Sequence, residues 1–136
     1  MPSPYLDAVQ KPGQTVNPLF TFLGVEIQEV GPQRVVLALA FKPEFIQGAG
    51  ALAGGVVAAL ADEAMAHVVL ANLAEGQKTA TIEMTVRYFR PVLEGGLTAV
   101  ASLVNKGRRI ISAEAVVTDS KNRQVAKVGG SFFVLE

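Results

Sequence analysis

Residues 52 to 73 form an almost unbroken apolar run of Ala, Leu, Val and Met, without proline and with Gly76 just past the end. This run constrains the fold more than any other stretch of the chain. Its composition favours a helix, and a helix that is apolar nearly all round is surrounded by protein or by lipid. Asp62, Glu63 and His67 would lie near the middle of a bilayer, and no cationic residue flanks the run closely, so a helix buried in a soluble domain is the better reading. At 136 residues the chain suits one core, and a single domain over residues 1–136 is expected.

The rest of the chain supplies what such a helix needs around it. "NPLFTFLG" reads as a short helix, with Asn17 as cap, Pro18 in the first turn and Gly24 as stop. "VEIQEV" and "RVVLALAF" then read as strands. The second sets large Val35, Leu37, Leu39 and Phe41 against small Val36, Ala38 and Ala40, and its small side is where a helix is expected to approach. After the long helix, "TATIEMTVRYF" places Thr81, Glu83, Thr85 and Arg87 opposite Ile82, Met84, Val86 and Tyr88. Three further strands follow, near 97–105, 110–118 and 124–134, joined by short turns at Gly107 and Lys121 that suit antiparallel neighbours. The expected class is α+β, a single antiparallel sheet wrapped around one long central helix.

Composition excludes several functions. Lys plus Arg equals Asp plus Glu at 12 each, so no net field favours nucleic acid or an anionic membrane as partner. With no cysteine and one histidine, disulfides, thiolate ligands, a Cys nucleophile and a multi-His metal site within one chain are all ruled out. The N-terminus has no basic stretch followed by an apolar core, so a cytoplasmic location is the expectation.

A motif sits where the long helix begins. Gln47, Gly50, Ala53, Gly54, Gly55, Leu60 and Asp62 follow the spacing of a pattern that runs Asn or Gln, Gly, His-Gly-Gly, then Leu-x-Asp. "TIEMTVRYFRP", "NKGRR" and "VAKVGGSFFV" follow in order. Together these pieces resemble the hotdog fold and, within it, the PaaI-like acyl-CoA thioesterases. The resemblance implies hydrolysis of acyl-CoA without any cofactor, since CoA is part of the substrate. It also implies a homodimer or homotetramer with active sites at the subunit interface, and a role for Thr81 in orienting the attacking water. Ala53 departs from the pattern, standing where the family usually has His. It motivates an alternative, a hotdog protein that binds acyl-CoA without turning it over. A hydratase on this fold would use a catalytic His, and His67 lies on the far half of the helix.

The residues themselves suit thioester hydrolysis, which needs donors for the developing oxyanion and a base or nucleophile for the carbonyl carbon. The Gly54 N–H in the first helical turn lacks an intrahelical acceptor, the Gln47 amide is a second donor, and Asp62 is the carboxylate. Eight residues at 1.5 Å each put Gly54 and Asp62 about 12 Å apart, so the two must serve different carbonyls. A working site then takes Gly54 from one subunit and Asp62, with Thr81, from another. Gly55, Arg90, Lys106, Arg108 and Arg109 are the expected contacts of substrate and CoA phosphates, and no metal is expected. Glu63 stands four residues before His67 and is expected to form a structural pair with it.

Overall fold

The computed structural model describes residues 3–136. In chain order the elements are α1 (Pro4–Val9), α2 (Pro18–Leu23), β1 (Val25–Val30), β2 (Val35–Leu39), a 3-10 turn (Pro43–Phe45), α3 (Gly54–Leu70), β3 (Lys78–Tyr88), β4 (Leu97–Lys106), β5 (Ile110–Thr118) and β6 (Gln124–Leu135). Six strands form one antiparallel sheet in the order β1-β2-β4-β5-β6-β3. The chain leaves β2, crosses the sheet as α3 and joins the far edge as β3, which places an 11-residue strand at an edge.

The start of α2 follows its sequence signature. Asn17 accepts a hydrogen bond from the Phe20 N–H, Pro18 fills the first turn, and Gly24 ends the helix at φ +82°. The same signature opens α1, a helix absent from the sequence reading: the Ser3 hydroxyl accepts from the Leu6 N–H, and Pro4 follows it. Leu6 and Val9 anchor that helix in the core. Helix α3 is shorter than the apolar run, because Leu52 and Ala53 belong to the loop before it and Ala71 caps it. Gly76, at φ +87°, serves the turn into β3 and does not end the helix.

Leu60, Ala61, Ala64, Met65, Val68 and Val69 of α3 have no solvent exposure, and each large side chain so buried contributes about 1.5–3 kcal/mol. Close approach of helix and sheet comes from alanines on both: Ala61 and Ala64 in α3, Ala99 and Ala101 in β4, Ala113 and Ala115 in β5, all buried. The expected approach over the small side of β2 is wrong. Val35, Leu37 and Leu39 are the buried set there, because the core needs their volume and the alanines of β4 and β5 already supply the clearance.

The single sheet does not close around α3 on every side. Gly55 is exposed and Ala59, Asp62, Ala66 and Leu70 are half-buried, and their spacing of three and four residues makes one stripe along the helix. A second departure lies in β3, where a bulge between Thr81 and Glu83 leaves Ile82 without a partner. Thr81 pairs with buried Phe132, and Met84 pairs with Gly130, whose Cα faces Met65. Thr81 therefore points to the helix side of the sheet. Period-two counting puts it on the outer face with Glu83, Thr85 and Arg87; the extra residue reverses the phase.

Candidate functional site

The loop before α3 folds as a small hairpin. Ile46 bridges Leu52, the Gln47 N–H donates to the Ala51 carbonyl, and the Ala53 N–H donates to the Phe45 carbonyl. Gly50 takes φ +87° at its tip, a conformation that favours glycine. This hairpin carries Gln47 to the N-terminus of α3. Gln47, Gly54, Tyr88 and Arg90 line one cleft of about 380 Å³, so three of the expected site residues are brought together.

Packing against Tyr88 leaves little room for a side chain at Gly54. A Cβ there would meet the Cζ and Oη of Tyr88 at 3.1 Å. The Tyr88 hydroxyl donates to the Gly54 carbonyl at 2.6 Å, and burial pushes its pKa up. Tyr88 is thus part of this cleft, whereas sequence reading assigns it only to the apolar side of a strand. Ala53 caps α3 with no side-chain hydrogen bond. The Gly54 and Gly55 N–H groups lie in the first turn of a 17-residue helix, where amides have no intrahelical acceptor and the helix dipole favours negative charge.

Asp62, further along α3, faces the other end of β3. The Thr81 hydroxyl donates to Asp62 Oδ1 at 2.9 Å, a contact made possible by the bulge at Ile82. Asp62 is half-buried and Thr81 exposed, so the carboxylate remains accessible to a small molecule. Gly54 and Asp62 do not share a cleft, in agreement with their spacing along α3.

Glu63, one residue on, has a different setting. Asn17 reaches its Oε1 at 3.4 Å, and burial raises its pKa, partly offset by that bond and reinforced by the charge of Asp62. The expected Glu63–His67 side-chain pair is absent: His67 Nδ1 meets the Glu63 backbone carbonyl at 2.6 Å. A carbonyl only accepts, so Nδ1 carries the proton and Nε2 accepts from the Tyr5 hydroxyl at 2.8 Å. Tyr5 in turn accepts from Asn17 Nδ2 at 2.9 Å. His67 is buried, which lowers its pKa and keeps it neutral. This network joins the N-terminal helices to α3 and makes His67 structural.

The cations divide between the two ends of the sheet. Arg90 donates to the Gln124 carbonyl at 3.1 Å and belongs to the Gln47 cleft. Lys106, Arg108 and Arg109 are exposed in or beside the β4–β5 turn. Pairing of Ile110 with Phe133, and of Phe133 with Ala80, puts that turn at the Thr81 end of the sheet, beyond β6. Among the described residues no cluster of His, Asp and Glu has the makings of a metal site, and no helix is long and apolar enough to cross a membrane.

Three comparisons bear on this arrangement. A family model described as "Thioesterase superfamily" matches residues 49–126, which include Gly54, Asp62 and Thr81. A thioesterase from Haemophilus influenzae superposes with a TM-score of 0.82 at 25% identity, covering 87% of this chain and 82% of that one. A mutant of phenylacetic acid degradation protein PaaI from Thermus thermophilus gives 0.79 at 26% identity, with 86% and 98% covered. A Haemophilus influenzae protein provisionally named an esterase is 31% identical over 94 residues, 69% of this chain and 68% of that one.

Proposed function

This chain belongs to the thioesterase superfamily and has its hotdog fold, and from that premise we propose that it hydrolyses acyl-CoA thioesters at two equivalent sites of a homodimer. Family and relatives support ester and thioester hydrolysis in general. One observation carries the finer reading: the two halves of the catalytic set sit at opposite ends of one exposed edge strand. Tyr88 of β3 touches Gly54, and Thr81 of β3 touches Asp62. If β3 pairs antiparallel with its own copy across a two-fold axis, the Gly54 end of each subunit meets the Asp62 end of the other. The edge is long, and Ile82 and Tyr88 on it are about half exposed (51% and 50%), a state that invites strand pairing. The same contact would cover the start of the open stripe of α3, at Gly55 and Ala59.

In this site the thioester oxygen accepts from the Gly54 N–H and the Gln47 amide of one subunit, donors placed for the oxyanion of the tetrahedral intermediate. Asp62 of the other subunit acts on the carbonyl carbon. As base it takes a proton from water while the hydroxide adds and the CoA thiolate leaves; as nucleophile it forms an anhydride that water then opens. Thr81 donates to Oδ1, which leaves Oδ2 for the chemistry and the threonine lone pairs for water. Gly55 adds a second amide at the helix start. Arg90 from one subunit and Lys106, Arg108 and Arg109 from the other would converge on the side where the CoA phosphates lie, and no cofactor is needed.

Mixed dimers test the arrangement. Asp62→Asn and Gly54→Val are each expected to release almost no free thiol from acyl-CoA. Co-refolded together, they are expected to recover about a quarter of wild-type activity, because half the dimers are mixed and each mixed dimer has one intact site. No recovery, with mixed dimers shown to form, would place both residues in one subunit's site and sink the reading. The second reading, binding without turnover, rests on Ala53. It predicts saturable binding of acyl-CoA with no thiol released from any of a panel of acyl groups, whereas the hydrolase reading predicts release that Ala53→His raises.

A further inference from the structure

A cavity of about 420 Å³ opens between α1, the second half of α3 and the start of β3. It adjoins Asp62. Ala66 stands one helical turn beyond Asp62, Leu70 one turn further, and Thr79 lies two residues before Thr81 on the same face of β3; all three line the cavity. Pro4 and Tyr5 of α1 form the wall opposite.

The polar side chains on this lining are largely engaged already. Ser3 accepts from Leu6, Gln77 bonds Ala74 and Glu136, Thr79 donates to the Phe133 carbonyl, and Tyr5 and His67 bond each other. Lys78 is exposed, and Glu63 is reached by Asn17 at 3.4 Å. What the cavity offers a ligand is mostly carbon, which selects an apolar group. Its length is set by the helix, since Asp62 to Leu70 spans about 12 Å at 1.5 Å per residue. An extended chain advances about 3.5 Å per three bonds, so roughly ten bonds fill that distance.

We propose that this cavity receives the acyl chain of the substrate, and that the preferred thioester carries an unbranched aliphatic chain of medium length, with Ala66 and Leu70 setting its limit. The proposal rests on the reading of Asp62 as the carboxylate that acts on the thioester. With the reacting carbonyl at Asp62, CoA runs toward the phosphate-binding cations and the acyl chain runs down α3 toward Tyr5.

The test compares kcat/KM for butyryl-, decanoyl- and hexadecanoyl-CoA in the wild-type protein, Ala66→Leu and Leu70→Trp. Decanoyl-CoA is expected to be the best substrate of the wild type. Each filling variant is expected to lower the decanoyl-to-butyryl ratio at least tenfold, about the discrimination that an overfilled apolar pocket gives. The ratio is internal to each preparation, so partial misfolding does not mimic the result. A ratio unchanged in both variants, or a wild type that prefers butyryl-CoA, overturns the proposal, and the hydrolase reading survives if Asp62→Asn still abolishes all thiol release. Should the wild type release no thiol at all, the hydrolase reading falls. Calorimetric binding of decanoyl- against butyryl-CoA in the same three proteins then decides the cavity alone.

Discussion

Asp62 and Glu63 are the same chemistry one residue apart, and α3 gives them opposite surroundings. The 100° step between neighbours turns Asp62 toward β3, where Thr81 holds one oxygen and solvent reaches the group. It turns Glu63 toward α1 and α2, where burial raises its pKa and Asn17 is its hydrogen-bond donor. A buried carboxyl next to an apolar run signals a site only when something can reach it. Both acids are half-buried, but Glu63 lies beside a structural network, whereas Asp62 faces the exposed edge strand β3.

The largest test of that contrast is Asp62→Asn, expected to lower the rate of thiol release by about 10²- to 10⁴-fold while acyl-CoA still binds. Full activity in this variant would remove Asp62 from the chemistry and return attention to Glu63. Thr81→Val comes next. It keeps the shape and removes the donor to Oδ1, and a loss of about fivefold in kcat is expected from a single hydrogen bond of about 1 kcal/mol that orients the carboxylate. An effect on KM alone would mean that Thr81 touches substrate and leaves Asp62 unaided.

Glu63→Gln is expected to have the smallest effect on rate and a measurable one on stability. Glu63 titrates above its ordinary 4.5 in the fold, so from pH 4.5 up to the raised value the folded state holds more proton than the unfolded chain, and stability falls as pH rises. The Gln variant lacks that loss, so its Tm relative to wild type should climb across the window. His67 acts in the opposite sense. Its pKa is lowered from 6.5, so the unfolded chain takes up protons first, and stability falls as pH drops below 6.5 in both proteins. A Tm difference between variant and wild type that stays flat from pH 4 to 8 would show that Glu63 is not held as a buried carboxyl.

Much of this molecule is legible in the sequence. The buried helix, the cap at Asn17, the strands at Leu97 and Ile110 and the turn at Gly107 all follow from local propensity and period. The spacing of Gly54 and Asp62 forces them into different clefts, because a helix has a fixed rise. Ser3-Pro4 carries the signal for α1, but the segment is only six residues long and too short to show a period. Other features have no local signal. The bulge at Ile82 depends on how β3 meets β6, and one unpaired residue there decides that Thr81 reaches Asp62. Tyr88 on Gly54 and Tyr5 on His67 join residues 34 and 62 positions apart.

By itself, then, the sequence determined most of the elements, the apolar helix and the separation of Gly54 from Asp62, since rise, period and capping act within a few residues. Only the tertiary structure decided which face Thr81 takes, which partners the two adjacent acids have, and where the cavity beyond Asp62 along α3 lies. Those outcomes depend on strand register and on packing between distant segments, and neither is encoded in any short stretch of chain.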